Sequence, residues 1–331
     1  GWHRWGWQNA FTQKQQDKIW EGYQKVFQEM LPTIVAENSQ TTYWESSPKF
    51  GRGDPRHQFE GDAHYWGGWH DAEPFENFEK KVPRFMSEFG FQSFPEISTI
   101  ATFSDSLDWN LNSEMMKSHQ KHPRGNSIIT EYMAREYYVS KDFKKFIYAS
   151  QILQAEGMRI GLEAHRRNQP YCMGTLYWQL NDCWPVASWS SRDYYGNWKA
   201  LHFTAQDVFS PISLSQKLDK NGMISIWVMT DLAVEIQDTL IISIYNLDGG
   251  VAHKATDPIN KKVEGSELIY NQKIKINDNQ FIVTELKNKQ VKSKTLFANK
   301  TKNLNFKKPT ISYQIKNNTI ILQTNIPAFE V

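Results

Sequence analysis

Residues 84–95 read RFMSEFGFQSFP, and this stretch decides how the rest of the chain is interpreted. Its first three residues are typical of the end of a buried strand, and Glu88 follows, with Phe89 and Phe91 close behind it in the sequence. A carboxylate in such an apolar frame is costly to bury unless it is paired or used chemically. Gly90 lets the chain turn or pass close to a ligand. An isolated glutamate at a strand end more often makes a structural ion pair or caps a helix, so its surroundings must decide its role.

Residues 172–186 read CMGTLYWQLNDCWPV and form a second motif. The pattern predicts a buried strand that ends in polar residues and a turn stopped by Pro185. Trp178 lies near the end of this strand. Asn181 and Asp182 are weaker candidates for a site, because an Asn-Asp pair at a strand end is often only turn chemistry.

Both stretches resemble glycoside hydrolase family 2 and, within it, the β-mannosidase branch. The Ser-Glu-Phe-Gly run resembles the end of the seventh barrel strand of that family, and WQLNDCWP resembles the eighth. The resemblance implies that Glu88 is the catalytic nucleophile of a retaining glycosidase and that Trp178 forms the floor of the sugar subsite.

Residues 61–69 read GDAHYWGGW and resemble the sixth barrel strand of the same family with its exit. That strand carries an active-site tyrosine, a role that we assign to Tyr65. A phenol hydroxyl beside a carboxylate can donate a hydrogen bond and keep the nucleophile ionised and oriented. His64 is equally compatible with a structural and a functional role.

Residues 1–11 read GWHRWGWQNAF and predict a loop. In the family this segment follows an Asn-Glu pair whose glutamate is the general acid/base, and that pair is not in this sequence. The resemblance assigns the sugar-site tryptophan of this loop to Trp5, with Trp2 and Trp7 as alternatives. We therefore expect the chain to hold half of the catalytic pair and to need, as its partner, the missing N-terminal part of the same polypeptide.

Two long helices are predicted from apolar residues that recur every three or four positions. The first spans residues 13–38 with Thr12 as its N-cap, and we expect its apolar stripe to pack in the core. The second spans residues 143–166. Between them, residues 41–47 are rich in β-branched and aromatic side chains and predict a short strand.

The character of the sequence changes at Pro211. Of the 13 tryptophans, 12 precede residue 199, and beyond Pro211 the chain alternates between apolar and polar residues as a β-sandwich does. The resemblance implies an α/β part followed by an all-β part. Residues 1–211 would form the fifth to eighth strands of a (β/α)8 TIM barrel, residues 212–307 an immunoglobulin-like β-sandwich, and residues 308–331 the start of a further, truncated sandwich.

Composition excludes several classes of partner. The net charge of +2 is too small to indicate nucleic acid as the main partner, and no apolar run is long enough to cross a membrane. Cys172 and Cys183 lack metal-ligand spacing, so we expect free thiols, no metal and no cofactor. The compartment stays open, although periplasmic, secreted and lysosomal-type locations fit the family.

The activity expected from the resemblance is that of a retaining exo-β-mannosidase. It would hydrolyse terminal β-D-mannose from oligosaccharides or glycoconjugates by double displacement between two carboxylates, and the 331-residue chain alone would be inactive. The alternatives are an exo-β-glucosaminidase of the same family, a non-catalytic carbohydrate-binding module and a purely structural fragment. The high aromatic content of 14% suits a sugar binder and an aromatic-rich core alike. A binding module, however, does not need a glutamate at an apolar strand end.

Overall fold

The computed structural model describes residues 6–51, 53–288 and 291–329. Its helices lie almost entirely in the first 210 residues, and a π-helical turn, Lys25–Met30, joins the first two. They are α1 (Gln13–Gln24), α2 (Leu31–Asn38), α3 (Gly67–His70), α4 (Ile97–Ile100), α5 (Glu114–Ser118), α6 (Gly125–Glu136), α7 (Phe143–Arg167) and α8 (Ala200–Val208). Among the described residues, no helix combines the length and the apolar character that crossing a membrane requires.

The strands fall into a short pair in the first part and longer strands in the second. They are β1 (Ala63–His64), β2 (Met86–Glu88), β3 (Ile212–Leu218), β4 (Met223–Asn246), β5 (Val251–Lys273), β6 (Gln280–Leu286), β7 (Lys294–Phe297), β8 (Ile311–Lys316) and β9 (Thr319–Thr324).

The helix predicted over residues 13–38 is confirmed, and it begins where its capping signal stands. The Thr12 side chain accepts a hydrogen bond from the backbone N–H of Gln15, whose side chain accepts one from the N–H of Thr12. Its expected packing is wrong, since α1 and α2 contain no buried residue and Trp20 is half exposed. Periodicity identifies the apolar face of a helix but does not tell what covers that face.

The strand predicted over residues 41–47 is also wrong, because the structure has no strand there. Trp44 instead lies against the backbone of Gly61, and its indole N–H donates to Asp62 at 3.1 Å. Ser47 donates a further hydrogen bond to the same carboxylate. Side-chain bonds to Asp62 therefore hold this segment in a loop.

A curled half-barrel sheet brings together three segments that are far apart in the sequence. β1 and β2 pair in parallel, with His64 opposite Glu88. The third segment, residues 173–178, lies on the other side of β2, where the backbone N–H of Met86 donates to the carbonyl of Gly174 and that of Trp178 donates to Phe89, both at 2.9 Å. The ends of adjacent strands consequently meet around Glu88.

The core of this first part packs against the residues that follow β2. Phe89 and Phe91 are fully buried in a cluster that includes Trp69 and Phe78. Helix α7 starts at its N-cap Asp142 and packs across this cluster. A β-carbon at Gly161 of α7 would collide with the ring of Phe89, so this glycine allows the helix to approach the strand closely.

The second part is all-β, as predicted. β3, β4, β6 and β7 form one sheet in that order, β5 pairs with β4, and β8 and β9 form a separate hairpin. The C-terminal end of α7 joins this sheet to the first part: Arg166 pairs with Asp231 at 2.8 Å, and Arg167 bonds both Glu79 and Ser215 at 2.7 Å. The immunoglobulin-like assignment and the predicted domain boundaries stay predictions.

Candidate active site

Glu88 stands at the end of β2 with its side chain 27% exposed. Its Oε2 accepts a hydrogen bond from the indole Nε1 of Trp66 at 3.2 Å and lies 3.1 Å from Nδ1 of His64. Within the described residues, Oε1 accepts no hydrogen bond. One oxygen is thus held by two neighbours, while the other is available to a ligand.

The two neighbours come from β1 and its exit because side chains alternate along a strand. His64 and Trp66 lie two residues apart, so both point toward Glu88, while Tyr65 between them points away. Burial lowers the pKa of His64, against the opposing charges of Glu88 and Asp62. The neutral imidazole that results can donate from Nδ1 to Glu88.

Removal of the Glu88 charge is expected to lower the pKa of His64 further. In the Glu88→Gln variant burial still disfavours the imidazolium, but the carboxylate that favours it is gone. Nitrogen-detected NMR titration of the imidazole should therefore give a midpoint below that of the unmodified chain. His202 is the control, because its lowered pKa arises from burial and Arg192. An unchanged or raised His64 midpoint would show that the two groups do not interact.

Asp62 anchors the start of the same strand. Its carboxylate accepts hydrogen bonds from Trp44, Ser47 and Ser87, the residue directly before Glu88. Burial opposes ionisation of Asp62, yet these three donors together leave its pKa below the usual range. Asp62 thereby connects the loop that contains Trp44 to β2.

Trp178 lies beside β2 and is 44% exposed, so its ring is available for contact with a ligand. A β-carbon at Gly90 would collide with the carbonyl oxygen of Trp178 and would lie 3.2 Å from ring atoms of Trp66 and Trp189. Gly90 therefore allows the rings of Trp66 and Trp189 and the backbone of Trp178 to approach the chain two residues after Glu88. The substrate role of Trp178 stays a prediction.

The structure gives Tyr65 a different partner from the one expected. Its side chain is 9% exposed, its ring packs edge-on against Phe78, and its hydroxyl donates to the carboxylate of Glu73. The reason is strand alternation, which turns Tyr65 toward the helix side of the sheet while His64 and Trp66 face Glu88. The substrate-binding role assigned to Tyr65 stays a prediction.

Gln154 of α7 holds the backbone behind the site. It is fully buried, and its Nε2 donates to the carbonyls of Phe91 at 2.7 Å and Trp189 at 3.1 Å. Its Oε1 accepts from the hydroxyl of Ser93 at 2.7 Å. One amide thus joins the segment after Glu88 to the segment that carries Trp189.

Comparisons with known proteins agree with this geometry, although no protein-family model matches the chain. β-Mannosidase B of Aspergillus clavatus is 30% identical over 247 residues, which cover 68% of this chain and 29% of the relative. The corresponding enzyme of Neosartorya fischeri is 29% identical over 272 residues, covering 74% and 32%. The crystal structure of β-D-mannosidase from Dictyoglomus thermophilum matches 92% of this chain with a TM-score of 0.84 at 27% identity. The chain is a relative of the β-mannosidases of glycoside hydrolase family 2.

A more distant likeness shows the fold alone. The exo-chitosanase of Amycolatopsis orientalis matches 91% of this chain and 37% of its own, with a TM-score of 0.63 at 17% identity. The chain spans about 30% of the length of the curated β-mannosidases that it matches and 39% of the Dictyoglomus β-mannosidase.

Of the three tryptophans considered for the sugar site near the start of the chain, the structure describes one. Trp5 and its alternative Trp2 lie outside the described residues, whereas Trp7 lies within them and is exposed. Trp66 was not predicted as a neighbour of Glu88, and His64 was left undecided. Their signal was available as the period of two in GDAHYWGGW, which places Asp62, His64 and Trp66 on one face of a strand.

Among the described residues, no cluster of three or more histidine, cysteine or acidic side chains could hold a metal ion. His119, part of a short basic run, stacks on Phe103 with ring centres 3.7 Å apart. Cys172 is a buried free thiol and Cys183 an exposed one.

Proposed function

We propose that the chain carries the nucleophile of a retaining exo-β-mannosidase that removes terminal β-D-mannose from oligosaccharides or glycoconjugates. The observation that carries the proposal is the state of Glu88, whose Oε2 is held by Trp66 and His64 while Oε1 accepts no hydrogen bond within the described residues. The likeness to β-mannosidases supports the choice of sugar.

In the proposed reaction, Oε1 of Glu88 attacks the anomeric carbon while the bond from that carbon to the leaving oxygen breaks. A second carboxylic acid protonates the leaving oxygen, and the resulting carboxylate then activates the water that releases mannose from Glu88. Trp66 and His64 orient Oε2, and the exposed face of Trp178 packs against the apolar face of the sugar ring.

We further propose that the second carboxylate lies before Gly1 in the same polypeptide. Two carboxylates that flank β1 and α3 in the sequence, Asp62 and Glu73, already accept hydrogen bonds from other side chains. A retaining pair needs its second member about 5 Å from the nucleophile. The partial coverage of the relatives agrees with a contribution from outside these 331 residues.

The test of the proposal is to trap the covalent intermediate in a polypeptide that supplies the proposed acid. An activated 2-deoxy-2-fluoro-β-mannoside should label the protein, because the fluorine slows breakdown of the glycosyl-enzyme. Peptide mass spectrometry is expected to find the label on Glu88. The matching glucosamine-configured substrate tests the alternative sugar. A label on another carboxylate, or a clear preference for the glucosaminide, would overturn the assignment.

Replacement of Trp178 by Ala is expected to weaken binding of a β-mannoside about tenfold or more, equivalent to a loss of about 1.4 kcal/mol. The large aromatic ring would no longer bury the apolar face of the sugar. Isothermal calorimetry with a non-hydrolysable β-mannoside measures the change. Trp178→Phe should retain part of the affinity.

Trp198→Ala serves as the matched control, because Trp198 is similarly exposed but packs on His202 and Phe203. Equal losses in the Trp178→Ala and Trp198→Ala variants would show that Trp178 has no special contact with the sugar.

A further inference from the structure

The loop over residues 179–190 follows Trp178 and contains Trp189, and both tryptophans have atoms close to Gly90, two residues after Glu88. Its ends are joined, since the backbone N–H of Gln179 donates to the carbonyl of Trp189 at 3.2 Å. Trp178 precedes the loop, and Trp189 packs edge-on against Trp66 with ring centres 6.0 Å apart. Any shift of this loop would therefore move Trp189 against Trp66, whose indole bonds Glu88.

Asp182 lies inside the loop, and its side chain is fully buried. Its Oδ2 accepts hydrogen bonds from the hydroxyls of Ser188 at 2.8 Å and Ser190 at 2.5 Å. Its Oδ1 accepts from Nζ of Lys121 at 2.9 Å and lies 3.4 Å from Nε2 of Gln179. The carboxylate thus bonds both ends of the loop: Gln179, which follows Trp178, and the two serines that flank Trp189.

Two cations depend on the same carboxylate. Lys121 pairs with it directly and, through its backbone N–H, also bonds the carbonyl of Ala187 at 3.2 Å. Lys199 is fully buried against the carbonyls of Ser93 and Ser188, and burial lowers its pKa to about 7, with Asp182 and Asp193 as the opposing charges. Removal of the charge from Asp182 would leave the positive charges of the partly buried Lys121 and the buried Lys199 with less opposite charge nearby.

We propose that Asp182 is a positioning residue that holds Trp178 and Trp189 in place around Glu88. The carboxylate does not touch the reacting atoms, and it acts through the shape of the loop. The positioning of Trp178 and Trp189 by Asp182 does not depend on the activity of the protein. Its consequence for turnover rests on the proposed β-mannosidase function.

The direct test uses the 331-residue chain labelled with 5-fluorotryptophan, in which single Trp→Phe variants assign the fluorine resonances. Asp182→Asn is expected to shift or broaden the resonances of Trp178 and Trp189 while that of Trp227, in the β sheet, stays unchanged. Ser190→Ala removes one donor to Asp182 and should move the same two resonances by a smaller amount. This variant tests the proposal if Asp182→Asn does not fold.

The matched control is Asp193→Asn. Asp193 is an equally buried aspartate of the same segment, and it accepts hydrogen bonds from Thr99, Tyr195 and Asn197. Its loss should lower the melting temperature without moving Trp178 or Trp189. Unchanged tryptophan resonances in folded Asp182→Asn, or equal shifts in Asp193→Asn, would overturn the proposal.

The kinetic test uses a polypeptide that hydrolyses an aryl β-mannoside. Asp182→Asn is expected to lower kcat by up to about 100-fold, the scale of a small misplacement of a binding group, with a smaller change in KM. Asp193→Asn should change kcat by less than about threefold. A kcat for Asp182→Asn that equals the unmodified value would contradict the inference. If the unmodified polypeptide hydrolyses no β-mannoside, the proposed function fails, and the fluorine spectra still decide the role of Asp182.

Discussion

Replacement of Glu88 by Gln is expected to reduce hydrolysis of an aryl β-mannoside by about five to six orders of magnitude in a polypeptide that supplies the proposed acid. Loss of a covalent nucleophile has an effect on this scale, because the remaining groups cannot form the intermediate. The fold should survive, since Gln keeps the volume of Glu and can still accept hydrogen bonds from Trp66 and His64. Steady-state kinetics and a thermal melt measure both effects.

The matched control for this change is Glu76→Gln, which alters an exposed glutamate of the same region. It should leave both turnover and melting temperature close to those of the unmodified protein. Near-native hydrolysis by the Glu88→Gln variant would show that Glu88 is not the nucleophile, and a collapse of its melting temperature would show that Glu88 has a structural role instead.

The isolated 331-residue chain is expected to show no measurable hydrolysis of mannobiose. General acid catalysis alone contributes about two to four orders of magnitude, and mannobiose has a poor leaving group that needs this protonation. An activated nitrophenyl β-mannoside needs less protonation, but the ring of Trp178 is 44% exposed, so water would reach the sugar subsite. Assays of both substrates with purified chain test the expectation.

The decisive comparison is between the unmodified chain and its Glu88→Gln variant at high protein concentration. Turnover of mannobiose that is lost in the variant would mean that another carboxylate within these residues serves as the acid. The placement of the second carboxylate before Gly1 would then be wrong.

Much of the local structure could be predicted because its causes are local. Thr12 is the predicted N-cap of α1, and α7 covers the predicted residues with one more at its end. The strand end predicted in residues 84–95 is found in β2, which ends at Glu88. These features depend on short-range bonds and on the pattern of side chains along one element.

The errors concern contacts between distant segments. Trp44 was assigned to a strand because aromatic residues favour strands, but its bond to Asp62, 18 positions away, decides its conformation. The Tyr65 hydroxyl was expected to donate to Glu88, whereas alternation along β1 directs it to Glu73. The contacts of His64 and Trp66 with Glu88 depend on the pairing of β1 with β2, which no property of either segment alone specifies.

Substitutions of Gln154 should impair the candidate site although this residue lies on helix α7. The backbone segments that contain Phe91 and Trp189 are both held by its one side-chain amide. A hydrophobic residue of equal size would leave those carbonyls without their donor, and a shorter amide would not span the same gap. A screen for loss-of-function alleles should therefore recover substitutions at Gln154 alongside those at Glu88, and suppressors of these alleles should arise in the loop that contains Trp189.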